Sequence, residues 1–242
     1  MISKSQIKLI TGLQHKKYRD KSGFFLAEGP KIIMDLLDSG LELEALYASE
    51  SHPDLAELEQ IVSVADLKKV SALKNPNTHL AVFNIPKQKT IQPKVLTVAL
   101  DAVRDPGNLG TIIRLCDWFG VQQMYCSPDT VDCYNPKVVQ ATMGSIARVT
   151  LYYGALPELF ERTRLPVYGA VMDGTNVYTK ALPPAAILLL GNEANGISSP
   201  LMPFVQHKIT IPAFGSSNAP ESLNVATATA VLLSEFRRTT GK

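Results

Sequence analysis

Apolar residues in the first eighty positions recur in short runs whose spacing switches between helical and strand-like. Ile7, Ile10 and Leu13 lie at helical spacing and predict a helix over Ser3–Lys16. Gly23–Ala27 (GFFLA) reads as a short strand. Pro30–Ser39 reads as a helix, with Pro30 at its start and Gly40 just past its end, as helix termini prefer. Ala45–Ala48 predicts a strand, Val64–Leu73 a helix and Leu80–Asn84 a strand. The polar, basic stretch Ile85–Lys94, with Pro86 and Pro93, has the composition of an exposed linker. Beyond it the alternation is stronger. Strands are expected at Val95–Leu100, Gln123–Cys126, Val167–Val171, Ala186–Leu190 and Lys208–Ile211. Helices are expected at Gly110–Phe119, Lys137–Met143, Leu156–Arg162 and Glu221–Arg238. Continuous apolar strands between helices argue for a parallel sheet covered on both faces. The expected organisation is therefore α/β in two parts, a small α/β domain at 1–88 and a larger α/β sheet domain at 89–242.

Composition adds little to this picture, and charge distribution adds more. The chain has 242 residues, 45% hydrophobic and 19% charged, with a net charge of +2. Those are ordinary globular values, and the net charge by itself says nothing about a polyanionic partner. Residues 1–31 concentrate Lys4, Lys8, Lys16, Lys17, Arg19, Lys21 and Lys31 against only Asp20 and Glu28. Such a face suits phosphate contacts, and a solvated helix face accounts for the charges equally well. Cys116, Cys126 and Cys133 are odd in number, and the four histidines are scattered, so neither a disulfide framework nor a metal site is expected. No apolar stretch is long enough to span a bilayer, and a cytoplasmic, membrane-free protein is expected.

Three loops at the C-terminal ends of predicted strands carry the candidate chemistry, since open α/β sheets bind ligands there. In Asp101–Arg114 (DAVRDPGNLGTIIR), Pro106-Gly107 makes a turn, Asn108 is placed to cap the next helix, and Arg114 follows Gly110 by one turn. Ile112, Ile113 and Leu115 flank Arg114 and point to a partly buried guanidinium. In Ile187–Gly196 (ILLLGNEANG), Gly191 ends a strand and Asn192-Glu193 follow. The third segment runs from Ile211 to the last helix. There Asn218 and Glu221 are spaced as a capping box, Pro220 suits a first turn, and Ser222 and Asn224 are surplus to capping. Neither the Walker nor the Rossmann glycine pattern is present, which disfavours a nucleotide hydrolase or a dehydrogenase.

Taken in order, the loops resemble the signature motifs of the SpoU (TrmH-like) family of RNA ribose methyltransferases, in the SPOUT superfamily. Asn108-Leu-Gly110-Thr-Ile-Ile-Arg114 is similar to the first, Leu189-Leu-Gly191-Asn-Glu193-Ala-Asn-Gly196 to the second, and Ile211-Pro with Ser222-Leu-Asn224-Val-Ala to the third. Asn135–Gly144 is similar to a further family segment, with Gln140 where an Arg is usual. Lys16-Lys17-Tyr-Arg19 through Glu28-Gly29 resembles the substrate-binding domain that precedes the catalytic domain in many members.

The resemblance implies a deep trefoil knot in the C-terminal domain, S-adenosylmethionine as cofactor, and a homodimer with the site near the subunit interface. Periodicity carries no sign of a knot. The implied activity is methylation of a ribose 2′-hydroxyl in structured RNA, ribosomal RNA before transfer RNA. A base-methylating enzyme and a non-catalytic RNA-binding protein are the rivals. The implied cofactor contacts are Met172, Gly191, Asn192, Ile211 and Leu223, and the implied catalytic set is Asn108, Arg114, Glu193, Ser222 and Asn224. Lys16, Lys17 and Arg19 become candidate RNA phosphate contacts. Glu193 is expected to pair with Arg114 or to hold a cofactor or substrate group. The family gives Arg114 the task of general base. A guanidinium keeps its proton, so binding phosphate and stabilising alkoxide charge is the role that its chemistry favours.

Overall fold

The computed structural model describes residues 2–87, 93–215 and 222–238. In chain order the first elements are α1 (Lys4–Gly12), α2 (Lys16–Ser22), β1 (Phe24–Glu28), α3 (Pro30–Asp38), β2 (Leu43–Ala48), β3 (Gln60–Ile61), α4 (Val64–Val70) and β4 (His79–Asn84). They are followed by β5 (Thr97–Leu100), α5 (Pro106–Trp118), β6 (Gln123–Cys126), α6 (Pro136–Thr142), β7 (Thr150–Tyr153) and α7 (Leu156–Arg162). The last are β8 (Val167–Asn176), β9 (Ile187–Leu190), β10 (His207–Thr210) and α8 (Val225–Arg238).

Contacts divide the chain into two compact units, Met1–Lys87 with Asp132–Arg148, and Gln88–Val131 with Val149–Lys242. The segment 132–148, expected with the C-terminal half, therefore groups with the first unit. Two contacts explain this. Phe25 of β1 packs on Tyr134, with ring centroids 4.8 Å apart, and Arg19 of α2 pairs with Asp132.

The first unit is built on a four-stranded sheet, order β1-β4-β2-β3. β4 runs antiparallel to β1 and β2, and β3 pairs parallel to β2. Ile10, Leu13, Leu26, Leu67, Leu80 and Val82 are among its buried core. The helix expected over Ser3–Lys16 ends at Gly12, and a second, unexpected helix follows over Lys16–Ser22. α1 opens with a capping box between Ser3 and Gln6, and α2 ends on Gly23 in the left-handed region.

The second unit is a six-stranded sheet, order β10-β8-β9-β5-β6-β7, with every pair parallel. β5 and β9 are buried at every position, which is why they read as uninterrupted apolar runs. β7 (TLYY) is partly exposed at the sheet edge, and its mixed composition hid it from pattern reading. β8 is longer than expected because its ladder is interrupted. Tyr168 and Gly169 pair with His207 and Lys208, then Thr175 and Asn176 pair with Ile209 and Thr210. Residues 170–174 swing out of the sheet between those pairs. Gly174 permits the return, since a Cβ there would overlap the Ile209 backbone. Among the described residues no helix is long and apolar enough to cross a membrane.

Candidate active site

Three loops leave the C-terminal ends of β5, β9 and β10, and polar side chains brace them to one another. After β5, Asp101 accepts a hydrogen bond from the Ser198 amide at 2.7 Å. Ala102 follows with a positive φ of 55°, and its amide donates to Ser127 Oγ at 2.9 Å. A non-glycine residue there is uncommon and persists only where its surroundings hold it. Asn192 Nδ2 adds to that hold by donating to the Ala102 carbonyl at 2.8 Å.

α5 then begins on Pro106, and its cap is Asp105, whose carboxylate accepts the Asn108 amide at 2.8 Å. The expectation that Asn108 caps this helix is thereby corrected. With the cap supplied upstream, the Asn108 side chain is released for another task. Its Nδ2 donates to Glu193 Oε1 at 2.7 Å, and its Oδ1 accepts from Asn224 Nδ2 at 2.9 Å.

Asn224 is itself the cap of α8. Its Oδ1 accepts the amides of Ala226 at 2.9 Å and Thr227 at 3.2 Å. The helix expected from Glu221 starts instead at Val225, and Ser222 and Asn224 are exposed residues outside it. Asn218, Pro220 and Glu221 lie outside the described residues. One hydrogen-bonded row, Glu193–Asn108–Asn224, thus ties together all three loops.

A cavity of about 550 Å³ opens beside that row. Its walls come from the β8 excursion, the loops after β9 and β10, and the start of α8. Gly191, Asn192, Ile211, Leu223 and Met172, the five expected cofactor contacts, all line it, as do Glu193 and Ser222. Gly191 lies so close to the Gly196–Ile197 peptide that a Cβ would overlap it. That close approach lets Asn192 and Gly196 exchange backbone hydrogen bonds of 2.9 and 2.8 Å, closing a tight loop at the rim. Met172 is 71% exposed and Leu223 50%, so two apolar side chains overhang the mouth. Asp173, Asn195 and Thr210 also line the cavity and were not anticipated. The 170–174 excursion that brings in Asp173 leaves no mark in an apolar strand pattern. The Asp173 carboxyl lies below the usual carboxylate range because Lys208 donates to it at 3.0 Å.

Arg114 does not line the cavity and does not pair with Glu193, whose Oε1 is taken by Asn108. It is exposed on α5, with no hydrogen bond or ion pair among the described residues. The partly buried guanidinium inferred from its apolar neighbours is corrected. Ile112 and Ile113 face the core, and successive helical positions point in different directions.

Arg19 fails as a phosphate contact. It is 2% exposed, donates from Nε to Asp132 at 3.0 Å and from Nη1 to the Leu13 carbonyl at 2.7 Å, and so has no free face for a ligand. Lys16 is exposed but engaged with Asp20 at 2.8 Å, while Lys17 is exposed. Gln140, half-buried on α6, is in the same unit as Arg19. Cys116 and Cys126 are fully buried, and burial pushes both thiols well up, so neither serves as a nucleophile. The described residues include no cluster of His, Cys, Asp and Glu that would hold a metal ion.

The SpoU rRNA Methylase family profile matches residues 95–234, and the MRM3-like substrate binding domain profile matches residues 4–81. The 23S rRNA (guanosine(2553)-2′-O)-methyltransferase RlmP of Bacillus subtilis (strain 168) is 29% identical over 234 residues, covering 93% of both chains. A TrmH-family protein from Porphyromonas gingivalis superposes with a TM-score of 0.87 at 38% identity, covering 98% of this chain and 99% of its own. The AdoMet-bound rRNA methyltransferase of Sinorhizobium meliloti superposes with a TM-score of 0.88 at 28% identity, covering 100% of this chain and 98% of its own.

Proposed function

The chain belongs to the SpoU rRNA methylase family, and on that premise we propose that it methylates a ribose 2′-hydroxyl in ribosomal RNA, with S-adenosylmethionine as donor. The observation that carries this reading is the cavity. Five residues that the family resemblance implies touch the donor, scattered from Met172 to Leu223, meet on one wall system. Its volume of about 550 Å³ lies within the range of small-ligand pockets. Apolar Ile211, Leu223 and Met172 suit a nucleoside face, and the polar loop Asn192–Gly196 borders the same cavity. Bound there, S-adenosylmethionine would supply an electrophilic methyl group.

The chain's own residues do the rest. The Glu193–Asn108–Asn224 row ties the three loops, and the Ser222 hydroxyl and the second carboxylate oxygen of Glu193, both at the cavity, are available to the ribose. Much of the acceleration in such an in-line displacement comes from positioning. Arg114 binds the phosphate beside the target ribose and stabilises charge developing on the 2′-oxygen. Its exposure and lack of a partner support that role.

The homodimer implied by the family is part of this proposal. Arg114 lies off the cavity lining of its own chain, and Trp118 at the end of the same helix is exposed, as expected of a site near a subunit interface. So is the trefoil knot. Its support is the path of the chain, which leaves β9, passes β8 to reach β10 at the sheet edge, and returns as α8 to pack on α5. The first unit selects the RNA, with Lys17 as a candidate phosphate contact. Mapping 2′-O-methyl positions in ribosomal RNA from cells with and without the gene tests the reading. One methylated ribose should disappear with the gene, and an unchanged map would reject it.

A further inference from the structure

The loop that follows β10 carries a side chain to which the proposed chemistry gives no task. Phe214 is 85% exposed, more than any other large apolar residue among those described. It lies three residues after Ile211, which lines the cavity, on the strand-exit loop that borders the mouth. Among the described residues, nothing packs on the ring there. A ring left in water costs free energy in proportion to its apolar area, and no ring contact is recorded for it among the described residues. Met172 and Leu223 line the same cavity and are exposed, so apolar side chains stand at its rim among the polar Asp173, Glu193, Asn195 and Ser222.

A methyl acceptor brings a matching group. To present its 2′-hydroxyl to a cavity set into the protein, a nucleotide must leave its neighbours, and its base then loses stacking partners. A base freed in this way is a flat, weakly hydrated face that aromatic side chains receive well. We propose that Phe214 is a substrate-binding residue on which the base of the target nucleotide stacks, holding the attached ribose over the cavity mouth. This rests on the reading of the cavity as the methyl-donor site. Phenylalanine has no hydrogen-bonding group, so it contacts the base face and leaves the edges unread. It contributes placement and affinity, and it leaves discrimination among the four bases to other residues.

The test compares Phe214→Ala, Phe214→Leu and Phe214→Tyr in the full chain, with unmethylated ribosomal RNA transcribed in vitro as the probe. The alanine variant should weaken RNA binding and raise the RNA KM by roughly tenfold, with a smaller change in kcat. The affinity for S-adenosylmethionine, read by calorimetry without RNA, should stay at the wild-type value. Tyrosine should restore RNA affinity, and leucine, apolar but without a π-face, should not. Unchanged RNA affinity in the alanine variant overturns the proposal, as does full rescue by leucine. Weakened S-adenosylmethionine binding, or a change in oligomeric state by ultracentrifugation, also overturns it, by assigning Phe214 to the donor or to a second copy. A wild-type protein that transfers no methyl group to RNA would remove the functional reading itself. An active wild type with an unaffected alanine variant removes only the stacking role.

Discussion

Arg19 and Arg114 carry the same side chain in the two compact units and stand in opposite circumstances. Arg19 is sealed in the first unit, bound to Asp132 and the Leu13 carbonyl. Arg114 stands exposed on α5 of the second, without a partner among the described residues. Sequence context points the other way for both. Lysines surround Arg19 and isoleucines flank Arg114. Immediate neighbours on a helix look in different directions, so the character of i±1 says little about residue i. The difference also separates two uses of charge. The first unit uses a buried charge in its own packing, and the second leaves the charge of Arg114 exposed.

The largest effect expected from this contrast is on turnover. Arg114→Ala should lower methyl transfer by on the order of a thousandfold, as loss of a donor to developing oxyanion charge does elsewhere. S-adenosylmethionine binding and thermal stability should be retained. Arg114→Lys should also fail, since an ammonium does not reproduce the planar fork. Near wild-type turnover in either variant would leave Arg114 without its role.

The opposite signature belongs to Arg19. Arg19→Met should destabilise the fold by about 3 kcal/mol, because it strands the Asp132 carboxylate in a largely buried setting. Replacing both partners with apolar residues should recover much of that loss. Denaturant melts decide the matter, and a single variant as stable as the wild type would show the pair to be incidental.

Asn224 sits between these extremes because it serves both ends of the contrast. Asn224→Ala removes the cap of α8, at about 1 kcal/mol, and cuts the link to Asn108. Activity should therefore fall further than stability does. Equal losses would mean that the residue only caps the helix.

The smallest effect is a pH dependence in the first unit. Burial pushes the Glu28 carboxyl above its ordinary value, although Ser71 Oγ and the Ala72 amide donate to it at 2.6 and 2.7 Å. The native state thus favours the protonated form. This contribution is fully present below the unfolded-state pKa and is lost as pH rises through the folded-state value. Glu28→Gln should flatten that part of the stability profile across the mildly acid range. An identical slope in variant and wild type would refute it.

How much of this was legible in the sequence differs between core and loops. The strands β5 and β9 were plain because a strand buried on both faces is apolar at every position. The five cavity residues were reachable through motif resemblance, since Gly191, Ile211 and Leu223 sit at fixed places in those motifs. The excursion of residues 170–174 was hidden, because Ala170-Val171 reads as more strand and nothing in the pattern marks the return to the sheet at Thr175. The caps of α5 and α8 were misread for a related reason. Asp105, Asn108, Asn218 and Asn224 are all competent caps by type, and only the fold decides which side chain reaches the free amides. The grouping of 132–148 with the first unit depends on Asp132 and Tyr134 meeting residues more than a hundred positions away, and local patterning carries no record of that.

The central claim is that the second unit places a methyl group on a ribose oxygen of ribosomal RNA. Incubation of the purified protein with unmethylated ribosomal RNA and methyl-labelled S-adenosylmethionine, followed by digestion to nucleosides, tests it most directly. The account predicts label in a single 2′-O-methylnucleoside. Label on a base nitrogen or carbon, or no label in RNA at all, would contradict it.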